Sequence, residues 1–274
     1  MKKALFVTGV ACGNGGYAIA ERFASEKYDI FLTARSMEKA EEAAKKLSKD
    51  YDVFAKGYKM DLKDKYAAEE IFKDIDSCGG LAETICLNAA DLAFSKDPAA
   101  GMPFFETDPE TLAQVLDANI VGNFRIILQA AKRMREHHKG AIVFISSNSA
   151  VRPNMNRVAY ISSKGGINSM SKALAVDLGQ YGIRSNVIMP GTIKTQRWVC
   201  MGDRQISNGT MTPLGDISDF NDIANAVWYL GTDASKNVTG AELVIDGGMS
   251  CQIYPQILNK YREDEIRRKS GTEA

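Results

Sequence analysis

The chain has 274 residues, of which 45% are apolar, and its 34 lysines and arginines balance 34 aspartates and glutamates. That is enough for one large α/β core or at most two small ones, and a net charge of zero offers no electrostatic case for nucleic acid or an anionic membrane. No window approaches 18 consecutive apolar residues, so no membrane-spanning helix is expected.

The first apolar run, Ala4–Thr8, reads as a short strand. It is too short for the apolar region of a signal peptide and leads straight into glycines, so a cytoplasmic protein is expected. Tyr17–Glu26 reads as a helix, Ile30–Thr33 as a second strand and Met37–Ser48 as a helix rich in Ala, Glu and Lys. Val53–Met60 is a weaker strand, Lys65–Ile75 a helix and Glu83–Leu87 a fourth strand. Pro109–His137 reads as one long helix, with apolar residues at Leu112, Val115, Leu116, Ile120, Phe124, Ile127 and Leu128. Ala141–Ser146 is a fifth strand, Ala159–Tyr181 a helix, Arg184–Met189 a sixth strand, Asp222–Thr232 a helix and Glu242–Ile245 a last strand. Such alternation predicts an α/β fold: a single-domain, doubly wound parallel sheet of seven strands with helices on both faces. Residues 1–250 form the expected nucleotide-binding catalytic domain, with a substrate lid over 196–220, and 251–274 form a C-terminal tail. The five cysteines, at 12, 78, 86, 200 and 251, are scattered and contain no Cys-x-x-Cys, which fits a reducing compartment. His137 and His138 are adjacent and are the only histidines, so no metal site is expected.

Two regions carry chemistry. After the first strand comes Thr8-Gly9-Val10-Ala11-Cys12-Gly13-Asn14-Gly15-Gly16-Tyr17. Glycines let the backbone turn sharply and approach a pyrophosphate, and the following helix start presents free N–H groups. The end of the second strand decides the adenosine ribose in such folds, with an acid for the 2′-OH and an arginine for a 2′-phosphate. Here it reads Thr33-Ala34-Arg35-Ser36, with no carboxylate. Arg35 suits a phosphate through its planar fork of donors, so NADP(H) is expected ahead of NAD(H). The second region holds Ser147 at a strand end, Tyr160 thirteen residues on and Lys164 four residues later. Four residues is just over one helical turn, which puts the phenol and the ammonium on one face. A hydroxyl donor, a phenol and a cation suit proton exchange with an alcohol or carbonyl oxygen.

With these motifs in order, the chain resembles the short-chain dehydrogenase/reductase family in its single-domain form, from Ala4 to Gly248. Thr8-Gly9-x-x-x-Gly13-x-Gly15 is similar to its cofactor turn, although the extra glycine leaves open whether Gly15 or Gly16 meets the pyrophosphate. Asp61-Leu62 resembles the pair that holds the adenine. Asn88-Ala89-Ala90 resembles the Asn-Ala-Gly of the fourth strand, with Ala90 in place of the glycine. Asn119 matches an asparagine of the long helix, and Pro190-Gly191-Thr192-Ile193-Lys194-Thr195 resembles the segment facing the nicotinamide amide. Val238-Thr239-Gly240 and Asp246-Gly247-Gly248 follow the family's ending. The resemblance implies four catalytic residues, Asn119, Ser147, Tyr160 and Lys164. Tyr160 would be the general acid/base, Lys164 would lower its pKa and bond the nicotinamide ribose, Ser147 would orient the substrate oxygen, and Asn119 would hold a relay water. The implied cofactor contacts are Gly9, Cys12, Gly13, Asn14, Gly15, Gly16, Tyr17, Arg35, Ser36, Asp61, Leu62, Asn88, Ala89, Ala90, Tyr160, Lys164, Pro190, Gly191, Ile193 and Thr195.

A free phenol ionises near pH 10, and a cation within about 4–6 Å lowers that value. Bringing it to about 7 takes roughly 4 kcal/mol of differential stabilisation. The expected reaction interconverts a secondary alcohol and a ketone, as in carbonyl reductases and hydroxysteroid or 3-oxoacyl dehydrogenases. Phe94, Phe104, Phe105, Met155, Trp198 and Met201 favour a large apolar substrate, whereas Arg152, Asn154, Asn156 and Arg157 admit a sugar or a carboxylate. The alternatives are a sugar or polyol dehydrogenase and, in another class, a cofactor-sensing regulatory protein, which could dispense with Ser147, Tyr160 and Lys164. Enoyl reduction ranks low, because the related enzymes space tyrosine and lysine more widely and position 167 is Ile167. By resemblance, the chain is expected to form a homotetramer or dimer through its two long helices and last strand.

Overall fold

The computed structural model of the chain describes residues 3–92, 102–195 and 212–253. Phe94, Cys200, Trp198, Met201 and most of the expected lid and tail lie outside the described residues. Seven strands form one sheet: β1 (Lys3–Thr8), β2 (Asp29–Ala34), β3 (Ala55–Lys59), β4 (Leu81–Leu87), β5 (Gly140–Ile145), β6 (Ile183–Pro190) and β7 (Glu242–Ile245). Their order is β3-β2-β1-β4-β5-β6-β7, and every pairing is parallel. The chain passes from β1 outward to β3 and then back across to β4, so the sheet reverses direction between β1 and β4. The crevice at the carboxyl ends of those strands is where open α/β sheets bind ligands.

The five inner strands, β2, β1, β4, β5 and β6, are buried on both faces, and alternate side chains go to separate cores, as a period of two requires. Leu5, Val7, Ile30 and Leu32 pack one face against α1 (Gly15–Ala24), α2 (Met37–Tyr51) and α7 (Phe220–Gly231). Phe6, Phe31, Ile85, Ile142 and Phe144 pack the other against α3 (Ala67–Ser77), α5 (Asn123–Glu136) and α6 (Val158–Gly179). Four of the helices start where a side-chain acceptor meets their free N–H groups. Asn14 caps α1, Ser36 caps α2 and Asp108 caps α4 (Pro109–Leu116), with Pro109 at the first helical position. Asp219 and Asp222 form a reciprocal capping box on α7.

The expected fold is borne out, with one substantial difference. Pro109–His137 is not one helix. The α-helical hydrogen-bonding pattern is interrupted by a wider π-type turn over Asp117–Gly122, between α4 and α5. Asn119 stands on that turn. Gly122 lies there against Leu62, whose carbonyl oxygen would be 2.4 Å from an added Cβ. Short 3₁₀ turns at Phe104–Glu106, Asn148–Ala150, Asp233–Ser235 and Met249–Cys251 are further additions. Among the described residues, no helix is long and apolar enough to cross a membrane.

Asp219→Ala removes one half of the α7 box. It should cost about 1 kcal/mol and lower the thermal midpoint by about 2–4 °C, read by circular dichroism. An unchanged midpoint would show that the cap adds nothing to this helix.

Candidate active site

The candidate reacting groups lie at the carboxyl end of β5. Tyr160 and Lys164 lie on one face of α6, with Lys164 Nζ 5.6 Å from the centroid of the Tyr160 ring. Lys164 is 3% exposed, and its Nζ donates to the Ile145 carbonyl at 2.7 Å. The same strand end is tied to α6 a second time, by Ser146 Oγ donating to the Lys164 carbonyl at 3.2 Å. Ser146 is therefore buried in a structural bond. Ser147, half-buried, begins the 3₁₀ turn, and its hydroxyl oxygen accepts from the Ser149 N–H at 3.1 Å. Among the described residues the Ser147 proton has no acceptor, so this serine, not its neighbour, can donate to a substrate oxygen.

Burial pushes the Lys164 ammonium down to about 8, because a charge loses hydration when enclosed. The group is still mostly protonated at neutral pH. Its charge acts in a poorly screened setting, where it exerts more force on a neighbouring phenol than it would in water.

Asn119 is fully buried. Its Oδ1 accepts from the Asp91 N–H at 2.6 Å, while its Nδ2 donates to the Asp91 carbonyl at 2.8 Å and to Ser163 Oγ at 2.9 Å. Ser163 in turn donates to the Tyr160 carbonyl. Both amide protons are thus engaged, and Asn119 clamps the loop after β4 to α6. Ser163, which the sequence reading did not single out, is the link. A π-type turn widens the helix and re-aims one side chain, a device common at functional sites.

The nucleotide end is built around Thr8 and Asn88. The Thr8 hydroxyl accepts from the N–H groups of Asn88 and Ala89, and Asn88 Nδ2 donates to the Thr8 and Gly9 carbonyls. Gly9 has φ +75° and carries Ala89 against its α-carbon. Packing distinguishes Gly15 from Gly16. A Cβ on Gly16 would fall 2.6 Å from the Gly9 carbonyl oxygen and 2.9 Å from Asn88 Nδ2, whereas one on Gly15 would meet only the Phe220 ring. Gly16 is the residue that lets α1 sit down on β1. Gly13, at φ +79°, has open space on its Cβ side. Asn14 closes the turn, accepting from Tyr17 N–H and donating to the Gly9 carbonyl. The helix start therefore offers backbone N–H groups beside open space, a cradle that fits a pyrophosphate.

The remaining expected contacts are spread along the same crevice. Arg35 is exposed just past β2, and Ser36 caps α2. Asp61 accepts from Lys63 N–H, and Leu62 packs on Gly122. Ala90 is half-buried beside Ala89, and Pro190 ends β6 ahead of Gly191. Ile193 pairs with Ser218, so the two ends of the expected lid meet at its base; Thr195 is the last described residue before it. Cys12 is exposed on the turn. Tyr17 stands in the first turn of α1 with its side chain turned inward. Its ring is buried in the core and its hydroxyl has no partner among the described residues, so only its backbone is at the cradle. Of the apolar lid candidates, Phe104, Phe105 and Met155 are 65%, 98% and 88% exposed. They do not pack the loops onto the body.

Lys164 gives a stability signature. Its folded pKa lies below that of the unfolded side chain, near 10.4. The unfolded state therefore holds more protons between about pH 8 and 10.5, and stability rises with pH across that window. The desolvation cost is present in full below pH 8. Urea unfolding of the wild type and Lys164→Met should converge toward the wild type by about 3 kcal/mol from pH 7 to 10.5. A difference that stays constant with pH would contradict a buried ammonium here.

A family model described as enoyl-(acyl carrier protein) reductase matches residues 9–250. An NADP-dependent (R)-specific alcohol dehydrogenase of Lentilactobacillus kefiri is 33% identical over 255 residues, covering 91% of this chain and 97% of that protein. An L-rhamnose-1-dehydrogenase of Scheffersomyces stipitis is 40% identical over 151 residues, covering 53% of this chain and 58% of that protein. A tyrosine-to-phenylalanine variant of ElxO, solved with NADPH bound, has a TM-score of 0.82 and 27% identity and covers 92% of this chain and 100% of that one. Matched along nearly its whole described length and carrying the serine, tyrosine and lysine at one strand end, the chain is an oxidoreductase acting on CH–OH groups and belongs to the short-chain dehydrogenase/reductase family.

Proposed function

We propose that this protein interconverts a secondary alcohol and a ketone with NADP(H), on substrates that carry a bulky apolar group. The observation that carries the reading is the buried Lys164 ammonium held 5.6 Å from the Tyr160 ring. NADP(H), when bound, supplies or accepts the hydride. The residues do the rest. In ketone reduction, Tyr160 gives its phenolic proton to the developing alkoxide oxygen and Lys164 stabilises the phenolate that remains. Ser147 donates a hydrogen bond to the same oxygen, as an oxyanion-site donor does. In alcohol oxidation the Tyr160 phenolate takes that proton back. Gly9, Gly13, Gly15 and Gly16 would seat the pyrophosphate, Asp61 and Leu62 the adenine, and the Pro190–Thr195 segment the nicotinamide amide. Arg35 would pair with a 2′-phosphate through its fork of donors.

The exposed Phe104, Phe105, Met155, Val151 and Leu214 support an apolar substrate. Phe104 and Phe105 stand edge to face, 5.4 Å between centroids, on a turn anchored to the start of α6 by Met102 N–H donating to the Asn156 carbonyl. Exposed aromatic side chains gain by covering an apolar ligand. The L-rhamnose-1-dehydrogenase relative favours a second reading, a sugar or polyol substrate, for which Arg152, Asn154, Asn156 and Arg157 are the polar candidates. The four-residue spacing of Tyr160 and Lys164 supports carbonyl over enoyl chemistry. Exposed Phe124, Leu128 and Val176 on α5 and α6, and Val244 on β7, support assembly into a dimer or tetramer. Oxidation of NADPH against a panel of aromatic ketones, ketosteroids, 3-oxoacyl thioesters and keto sugars separates the two substrate readings.

Tyr160→Phe should lower turnover by about 10²–10⁴-fold, with NADPH binding, followed by fluorescence, unchanged. Near-normal turnover would remove the phenol from the mechanism. In a second variant, Arg35→Asp, the ratio of kcat/KM for NADPH over NADH should fall, and a ratio equal to that of wild type would remove Arg35 as the phosphate reader.

A further inference from the structure

Asp246 follows β7 and is 6% exposed. Its carboxylate accepts from Asn148 Nδ2 at 3.1 Å, from the N–H groups of Gly248 at 3.0 Å and Ser250 at 2.8 Å, and from the Ser250 hydroxyl. Burial pushes its pKa up, but these donors outweigh it and hold the carboxyl below the usual carboxylate range. The bonds to Gly248 and Ser250 are local to the turn after β7. The bond to Asn148 is not: it crosses to the residue that follows Ser147.

Two further contacts place this carboxylate at a junction. A Cβ on Gly191 would fall 2.6 Å from Asp246 Cβ and 3.4 Å from Asn148 Nδ2. Gly247, at φ +62°, accepts from Leu214 N–H through its carbonyl, and a Cβ there would meet Thr212. The end of β7 thus touches the Ser147 turn, the segment after β6 and the returning end of the lid. Ser147 takes its orientation from the Ser149 N–H inside the Asn148–Ala150 turn, and Asn148 is the side-chain anchor of that turn on the sheet.

We infer that Asp246 is a positioning residue for the reaction, acting through Asn148 to aim the Ser147 hydroxyl across the Pro190–Gly191 segment. The inference rests on the reading in which Ser147 donates to the substrate oxygen. A charged acceptor suits the task, because hydrogen bonds to an ionised partner are shorter and stronger than neutral ones, and small errors in aim are costly to rate.

The test compares wild type, Ser147→Ala, Asn148→Ala, Asp246→Asn and the Asn148→Ala/Asp246→Asn double variant, using the panel ketone that wild type reduces fastest. Turnover, the Kd for NADPH and the thermal midpoint are read separately. Asn148→Ala should lower kcat by about tenfold or more, with the Kd for NADPH and the midpoint close to wild type. Asp246→Asn should add less than about twofold to that loss in the double variant, since the two residues act as one unit. Exchanging the partners, as Asn148→Asp with Asp246→Asn, should recover most of the lost turnover. Normal turnover in Asn148→Ala while Ser147→Ala is impaired overturns the positioning role alone, and so does a loss confined to NADPH binding or to the midpoint. Normal turnover in Ser147→Ala overturns the reading of Ser147 and this inference with it.

Discussion

The site depends on one buried charge. Lys164 Nζ reaches out of α6 to the last carbonyl of β5, 2.7 Å away, and there is enclosed by protein. An ammonium in that position is costly to bury and is stable there only with a fixed acceptor. The Ile145 carbonyl supplies the acceptor, and the constraint fixes the rest. It sets the rotation of α6 about its axis, which brings Tyr160 to the same side, and it ties that helix to the strand whose next two residues are Ser146 and Ser147. The helix that carries Tyr160 and the strand end that leads to Ser147 are thereby held as one piece.

The nucleotide end obeys a similar rule in uncharged groups. Four hydrogen bonds link Thr8 and Gly9 at the end of β1 to Asn88 and Ala89 after β4, across the gap between them. This gap is where the order of the sheet reverses, so no crossover helix covers it and the ends of both strands stay open to the cleft. Gly16 lets the first helix approach this bonded floor, and Asn14 holds the turn above it. Asn119 joins the two ends, with Asp91 on one side of its amide and Ser163 on the other.

Most of this was legible in the sequence because it follows from short-range spacing. The alternation of apolar runs and amphipathic segments placed all seven strands, and Glu242–Ile245 agrees residue for residue. The Tyr160–Lys164 pair was legible because four residues along a helix is a fixed geometry. The break in Pro109–His137 was not, since a π-type turn inserts no proline and leaves the apolar pattern continuous. Phe124 and Leu128 belonged to that pattern, yet both are substantially exposed, and the buried row of α5 runs through Asn123, Ile126, Ile127, Ala130 and Met134 instead. The inward direction of the Tyr17 ring was not legible either, since it is set by packing in the core. The contacts of Ser163 with Asn119 and of Asn148 with Asp246 span 44 and 98 residues, and no local spacing announces such pairings, even where Asp246 itself belongs to a short motif.

The central claim is that the Lys164 ammonium makes Tyr160 acidic enough to exchange a proton with the substrate oxygen. Its most direct test is an ultraviolet difference titration of the NADP⁺ complex, wild type minus Tyr160→Phe, repeated in a Lys164→Met background. The account predicts that the Tyr160 phenol ionises well below the ordinary value near 10 in the first pair and returns to it, or above, in the second. A phenol that ionises at the ordinary value with Lys164 in place would contradict the account.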